Sequence, residues 1–121
     1  MQRLVVILLA LVLGTPLRAF GANTRVRSNA AACKTLIDAF PAQALHSDET
    51  VAGAKPWCDR TVDTNREYFV LGLHSDRRCD YMCSSLVGWF AVERSTGRVF
   101  DWDINEDVVG RLRWDGHTWS N

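Results

Sequence analysis

Tyr68-Phe69-Val70-Leu71-Gly72-Leu73-His74 and Leu86-Val87-Gly88-Trp89-Phe90-Ala91-Val92, followed closely by Arg98-Val99-Phe100-Asp101-Trp102-Asp103-Ile104, decide how this chain folds. Runs of this length, rich in Val, Tyr, Phe, Trp and Leu and bounded by Ser, Asp, Thr and Gly, read as strands of one antiparallel sheet. A meander is the simplest way to join them. In the first two runs both faces are largely apolar, which places them in mid-sheet with cover on both sides. The third alternates, with Phe100, Trp102 and Ile104 on one side and Val99, Asp101 and Asp103 on the other, so one of its faces is expected to be wet.

Upstream, Cys33, Leu36, Ile37 and Phe40 fall at i, i+3, i+4 and i+7, while Lys34, Thr35 and Asp38 take the other side. This spacing predicts an amphipathic helix of about three turns, capped by Ser28, ended by Pro41, and laid on the sheet by its apolar stripe. From Gln43 to Asn65 the pattern dissolves, with Pro56-Trp57-Cys58 as its one firm point. A structureless link of about 20 residues is unusual in a compact domain unless it is pinned or functional. Trp57 and a disulfide would pin it, and either this link, a second copy or another partner would cover the second face of the sheet. Downstream, Glu93 to Arg98 reads as a hairpin loop with Gly97 in the left-handed position, and Asn105-Glu106-Asp107 as a turn. Val108 to Asn121, with Leu112, Trp114 and Trp119 around Asp115-Gly116, is either a fourth strand that doubles back or a small end hairpin. The fold class expected is α+β: one N-terminal amphipathic helix on a three- or four-stranded antiparallel meander, stabilised by disulfides.

The first residues read differently. Met1-Gln2-Arg3 leads into the apolar run Leu4 to Leu13, and Ala19-Phe20-Gly21 places small residues where a signal peptidase reads. Residues 1–21 are therefore expected to be a signal peptide, and 22–121 one small domain of 100 residues, large enough for a single modest core. The apolar run is shorter than the roughly 20 residues that cross a bilayer, so no stable membrane anchor is expected after cleavage. Cys33 is too far downstream to carry a lipid. All 14 acidic residues but only 12 of the 14 basic ones survive cleavage, because Arg3 and Arg18 leave, and the resulting charge of −2 argues against nucleic acid or an anionic membrane as partner.

Four cysteines in an exported chain favour disulfides, for which three pairings are formally possible. Cys79 and Cys83 would lie about 13 Å apart in an extended strand but near 6 Å in a helical turn, so a bond between them requires a coiled loop there. Cys33 then pairs with Cys58, closing about 25 residues, which is worth roughly 3.5 kcal/mol against roughly 2 for the small loop.

Several residue sets could carry chemistry. Asp101, Asp103 and Asn105 begin like a calcium loop, but the sixth position is Glu106 instead of Gly and the twelfth is Leu112 instead of Glu, so an acidic outer strand face reads better. His74, Cys79 and Cys83 with Cys58 could be drawn as a zinc site, whereas export favours their oxidation. No cofactor is expected. His74 with Asp76 and Ser84 or Ser85 has the residue types of a hydrolytic triad, without a Gly-x-Ser-x-Gly elbow to frame it. His74 at a strand end otherwise reads as a half-buried edge residue. Of the five tryptophans, Trp57, Trp89 and Trp102 fit core positions. Trp114 and Trp119 flank an exposed turn; they either cap the sheet or, with Arg113 and His117, anchor a partner.

Val92-Glu93-Arg94-Ser95-Thr96-Gly97-Arg98-Val99-Phe100-Asp101-Trp102 resembles the Val-Asp-x-x-Thr-Gly-x-Val hairpin of PepSY-type domains, exported bacterial modules in which a helix packs on an antiparallel sheet in a cystatin-like way. The match covers about a tenth of the mature chain, and the four cysteines and the Gln43 to Asn65 link depart from that pattern. The resemblance implies a non-catalytic module that inhibits or chaperones an exported enzyme. The expectation is thus a periplasmic or secreted protein-binding module, an inhibitor or immunity-type factor, whose partner is another exported protein or a second copy. The alternative is a small secreted hydrolase using His74 with Ser84 or Ser85.

Overall fold

The structure, a computed structural model, describes residues 25–46, 53–60, 65–77 and 84–121. The proposed signal peptide and the Cys79–Cys83 bond lie outside the described residues. Helix α1 (Asn29–Ala39) and the short α2 (Ala42–Leu45) precede five strands: β1 (Trp57–Arg60), β2 (Tyr68–His74), β3 (Leu86–Glu93), β4 (Val99–Asp103) and β5 (Val108–Trp114). They form one antiparallel sheet in the order β1-β2-β3-β4-β5, so the meander is observed, but with five strands instead of three or four. The extra strand comes from the Gln43 to Asn65 link. At four residues β1 is too short to show a period, yet its register on β2 sets Cys58 opposite Leu73, facing the helix.

Ser28 caps α1 as its type and position predict, its hydroxyl accepting from the Ala31 N–H at 3.0 Å. Pro41 ends the first helix but also opens α2, since a proline needs no amide partner at a helix start. The disulfide joins Cys33 on α1 to Cys58 on β1, with Cα atoms 6.0 Å apart. It fastens the helix to the edge of the sheet. Among the described residues, no helix is long and apolar enough to cross a membrane.

The main core lies between helix and sheet. Ala32, Leu36 and Leu45 meet Phe69, Leu71, Leu73, Phe90, Val92 and Val99, and Cys33, Ile37 and Phe40 pack around them. Leu36, Leu45, Leu71 and Leu73 are fully buried, each worth about 2 kcal/mol in transfer free energy. Val99 corrects the expectation for β4: its side is dry at the start of the strand, because it pairs with Val92 and Trp114 under the helix layer, and becomes wet only towards Asp103. The Glu93 to Arg98 turn closes as expected, with Gly97 at φ 75° and its N–H on the Glu93 carbonyl at 2.8 Å. The chain end does both things its sequence allows: β5 is a full strand, and after the Asp115-Gly116 turn Trp119 bridges back to Trp114.

Candidate functional site

The face of the sheet away from α1 carries no helix among the described residues. Strand alternation and register put Trp57 and Asp59 of β1, Tyr68, Val70, Gly72 and His74 of β2, Trp89 and Ala91 of β3, and Phe100 and Trp102 of β4 on this side. Val70, Ala91 and Trp102 are buried there by their neighbours Tyr68, Trp89 and Phe100. The Trp89 indole lies flat over Gly72, where a Cβ would come within 3.2 Å of the ring, so the glycine makes room for the tryptophan. Tyr68 meets Phe100 edge-on at 5.8 Å. Its phenol is raised above the ordinary tyrosine value by burial, with Glu93 and Glu67 adding to the shift. Towards the rims the surface opens: Trp57 is 48 % exposed, Val109 39 % and Leu86 38 %. Among the described residues no layer lies above these aromatic side chains, and an uncovered apolar sheet face is a surface that a partner can cover.

At the β1 end of this face His74 is held on three sides. Its ring stacks on Trp57 with centroids 3.9 Å apart and planes within 6°. Nε2 is 2.5 Å from Asp59 Oδ2, and Nδ1 is 2.8 Å from Ser85 Oγ. A carboxylate only accepts, so Nε2 carries the hydrogen; in the neutral ring Nδ1 is then the acceptor and the Ser85 hydroxyl donates to it. Hydroxyl, imidazole and carboxylate thus form a linear relay, the order in which a nucleophile, a base and an orienting acid are arranged where such chemistry occurs. Of the residues that the sequence set beside His74, the structure brings Ser85 to the ring, and the carboxylate that meets it is Asp59 instead of Asp76. Asp76, two residues beyond the strand, has its carboxylate buried and bonded to His46 Nδ1 at 2.7 Å. Ser84 instead accepts from the Leu86 N–H. Asp59 was legible only through β1, since once Cys58 points to the helix its neighbours Trp57 and Asp59 must point to the His74 side.

Most residues of the other expected sites make contacts within the fold. Trp119 packs on Phe40 at 4.7 Å and on Phe90 at 5.9 Å, with the Arg113 guanidinium over its ring at 5.1 Å. Arg113 also donates to Asp101 Oδ1 at 2.8 Å and to the Ser120 carbonyl at 2.7 Å. Trp114 faces Val99, and only His117 of this set is exposed. Asp101, first of the calcium-like residues, is paired with Arg113. Asp103 uses Oδ1 to accept from the N–H groups of Asn105 and Glu106, closing the turn. Among the described residues no group of three or more His, Cys, Asp or Glu could hold a metal ion. No protein-family model, curated protein or solved structure matches this chain.

Proposed function

We propose that the mature chain is an exported, non-enzymatic module that binds another exported protein through the open aromatic face, as an inhibitor or immunity-type factor does. The observation that carries this reading is the exposed indole of Trp57 at the rim of a face where Tyr68, Trp89 and Phe100 are only half covered. Aromatic side chains on a rigid sheet lose little entropy on binding and are enriched at interface hot spots. The Cys33–Cys58 bond fits an oxidising compartment, where such bonds persist. The PepSY-like hairpin at 92–102 leans the same way. The test uses the disulfide-bonded protein as bait against an envelope extract of its source cell, beside a Trp57→Ala, Trp89→Ala double variant. A partner held by the first bait and released by the second, at equal circular dichroism, supports the reading. Retention by both baits refutes this face as the contact, and a dimer that the double substitution dissolves makes the partner a second copy.

The Ser85–His74–Asp59 relay favours a second reading, a small acyl hydrolase in which Ser85 attacks and His74 takes its proton. A fluorophosphonate that adds covalently to Ser85, and fails to add in His74→Ala, would support it. An unlabelled protein leaves the relay as a clasp between β1, β2 and β3.

A further inference from the structure

Three segments distant in sequence are stitched together at one corner. The Val26 N–H donates to the Arg94 carbonyl at 2.8 Å, and the Arg94 N–H donates to the Glu67 carbonyl at 2.9 Å. The lead into α1, the residues before β2 and the turn between β3 and β4 are thereby fixed relative to one another. They enclose an open cavity of about 320 Å³ lined by Arg25, Arg66, Glu67, Glu93, Arg94 and Ser95.

Among the described residues, the charges that line this cavity do not balance. Glu93 is committed elsewhere: its Oε1 accepts from Arg98 Nε and Nη2, each at 3.0 Å, and from the Thr96 hydroxyl. Among the described residues, three arginines, Arg25, Arg66 and Arg94, then line the cavity beside one acidic side chain not bonded elsewhere, that of Glu67. Arg94 is also held in place, its guanidinium 3.8 Å over the Phe69 ring, and its Nε is buried with no acceptor among the described residues. A buried donor without a partner is rare in a folded protein and calls for an explanation. Arginines lining a concavity between backbone segments that are fixed to one another, with Ser95 beside them, match the charge of an oxyanion.

We propose that this corner is a binding site for a carboxylate or phosphate oxyanion, held by Arg25, Arg66 and Arg94 with Ser95. It is independent of the aromatic face, and of whether that face binds a protein. The test is an amide NMR titration of the intact, disulfide-bonded protein with sodium phosphate and, separately, sodium acetate, each against sodium chloride at constant ionic strength. Saturable shifts at Glu67, Arg94 and Ser95, with affinity reduced at least tenfold in Arg66→Gln and Arg94→Gln, are expected. Saturation by phosphate alone identifies a phosphorylated ligand, and saturation by acetate identifies a carboxylate such as a chain end or acidic side chain. Arg66 is exposed, so its substitution leaves the fold intact should Arg94→Gln disturb it. Shifts that never saturate with either ion, or saturable binding unchanged in Arg66→Gln, overturn the proposal.

Discussion

Replacing Cys33 and Cys58 together by alanine tests how the helix is held to the sheet. The bond spans a sequence separation of 25. On the chain-entropy model its loss frees the unfolded state by about 3.5 kcal/mol at 25 °C. That is a large share of the 5 to 15 kcal/mol that stabilises a typical domain. With a urea slope of about 1.5 kcal/mol per molar, the unfolding midpoint should fall by somewhat more than about 2 M. The native state should respond locally as well. Among the described residues β1 is an edge strand paired with β2, and the disulfide ties it to α1. In the double variant, Trp57 should lose its stack on His74, and the amides of Cys58 and Asp59 should exchange faster than those of β2 and β3. The assays are urea denaturation followed by tryptophan fluorescence, and hydrogen exchange resolved by residue. Intact mass after alkylation of the parent protein under denaturing, non-reducing conditions first verifies that its thiols are oxidised. A midpoint shift under about 0.5 M would refute the entropic argument. Unchanged protection in β1 would show that its backbone pairing with β2 suffices to hold it.

Trp119→Ala should destabilise the fold by about 2 to 3 kcal/mol, below the roughly 3 to 5 of a fully buried indole because this one is half covered; a urea titration measures it. A loss under about 0.5 kcal/mol would mean that Phe40 and Phe90 do not depend on the indole, and would return Arg113, Trp114, His117 and Trp119 to consideration as a partner surface. The Asp115 carboxyl is held below its ordinary value by the Thr118 and His117 N–H groups. Its contribution to the end turn is therefore present above the ordinary carboxylate value and lost as pH falls through the lowered one. The Thr118 and His117 amide resonances should titrate together below the ordinary aspartate range, and a midpoint at or above that range would contradict the hydrogen bonds.

Local chemistry was enough to locate most of the elements. The Ser28 cap, the Leu36 stripe, the left-handed Gly97 and the three apolar runs each depend on residues close in sequence, and period and turn type expose them directly. The Cys33–Cys58 pairing was also legible, since it is what remains once Cys79 and Cys83, four residues apart, are set aside as a pair. The rest depends on which strands become neighbours. A four-residue strand has no readable period, so β1 existed in the sequence only as Cys58 inside an irregular stretch, and with it went Asp59 as the partner of His74. Val99 looked wet by alternation and is dry because Val92, Trp114 and the helix layer close over it. Trp119 beside its turn reads either as a cap on the sheet or as an anchor for a partner, and the structure packs it on Phe40 and Phe90 because the chain end folds back. Arg25, Arg66 and Arg94 are spread over 70 residues and share a cavity only because two backbone hydrogen bonds join their segments. The sequence by itself determines what each segment can form, because dihedral preference and side-chain period are properties of a few consecutive residues. Which faces stay open, and which charges meet, is decided by strand register, because a single residue's shift in pairing turns every side chain to the opposite side.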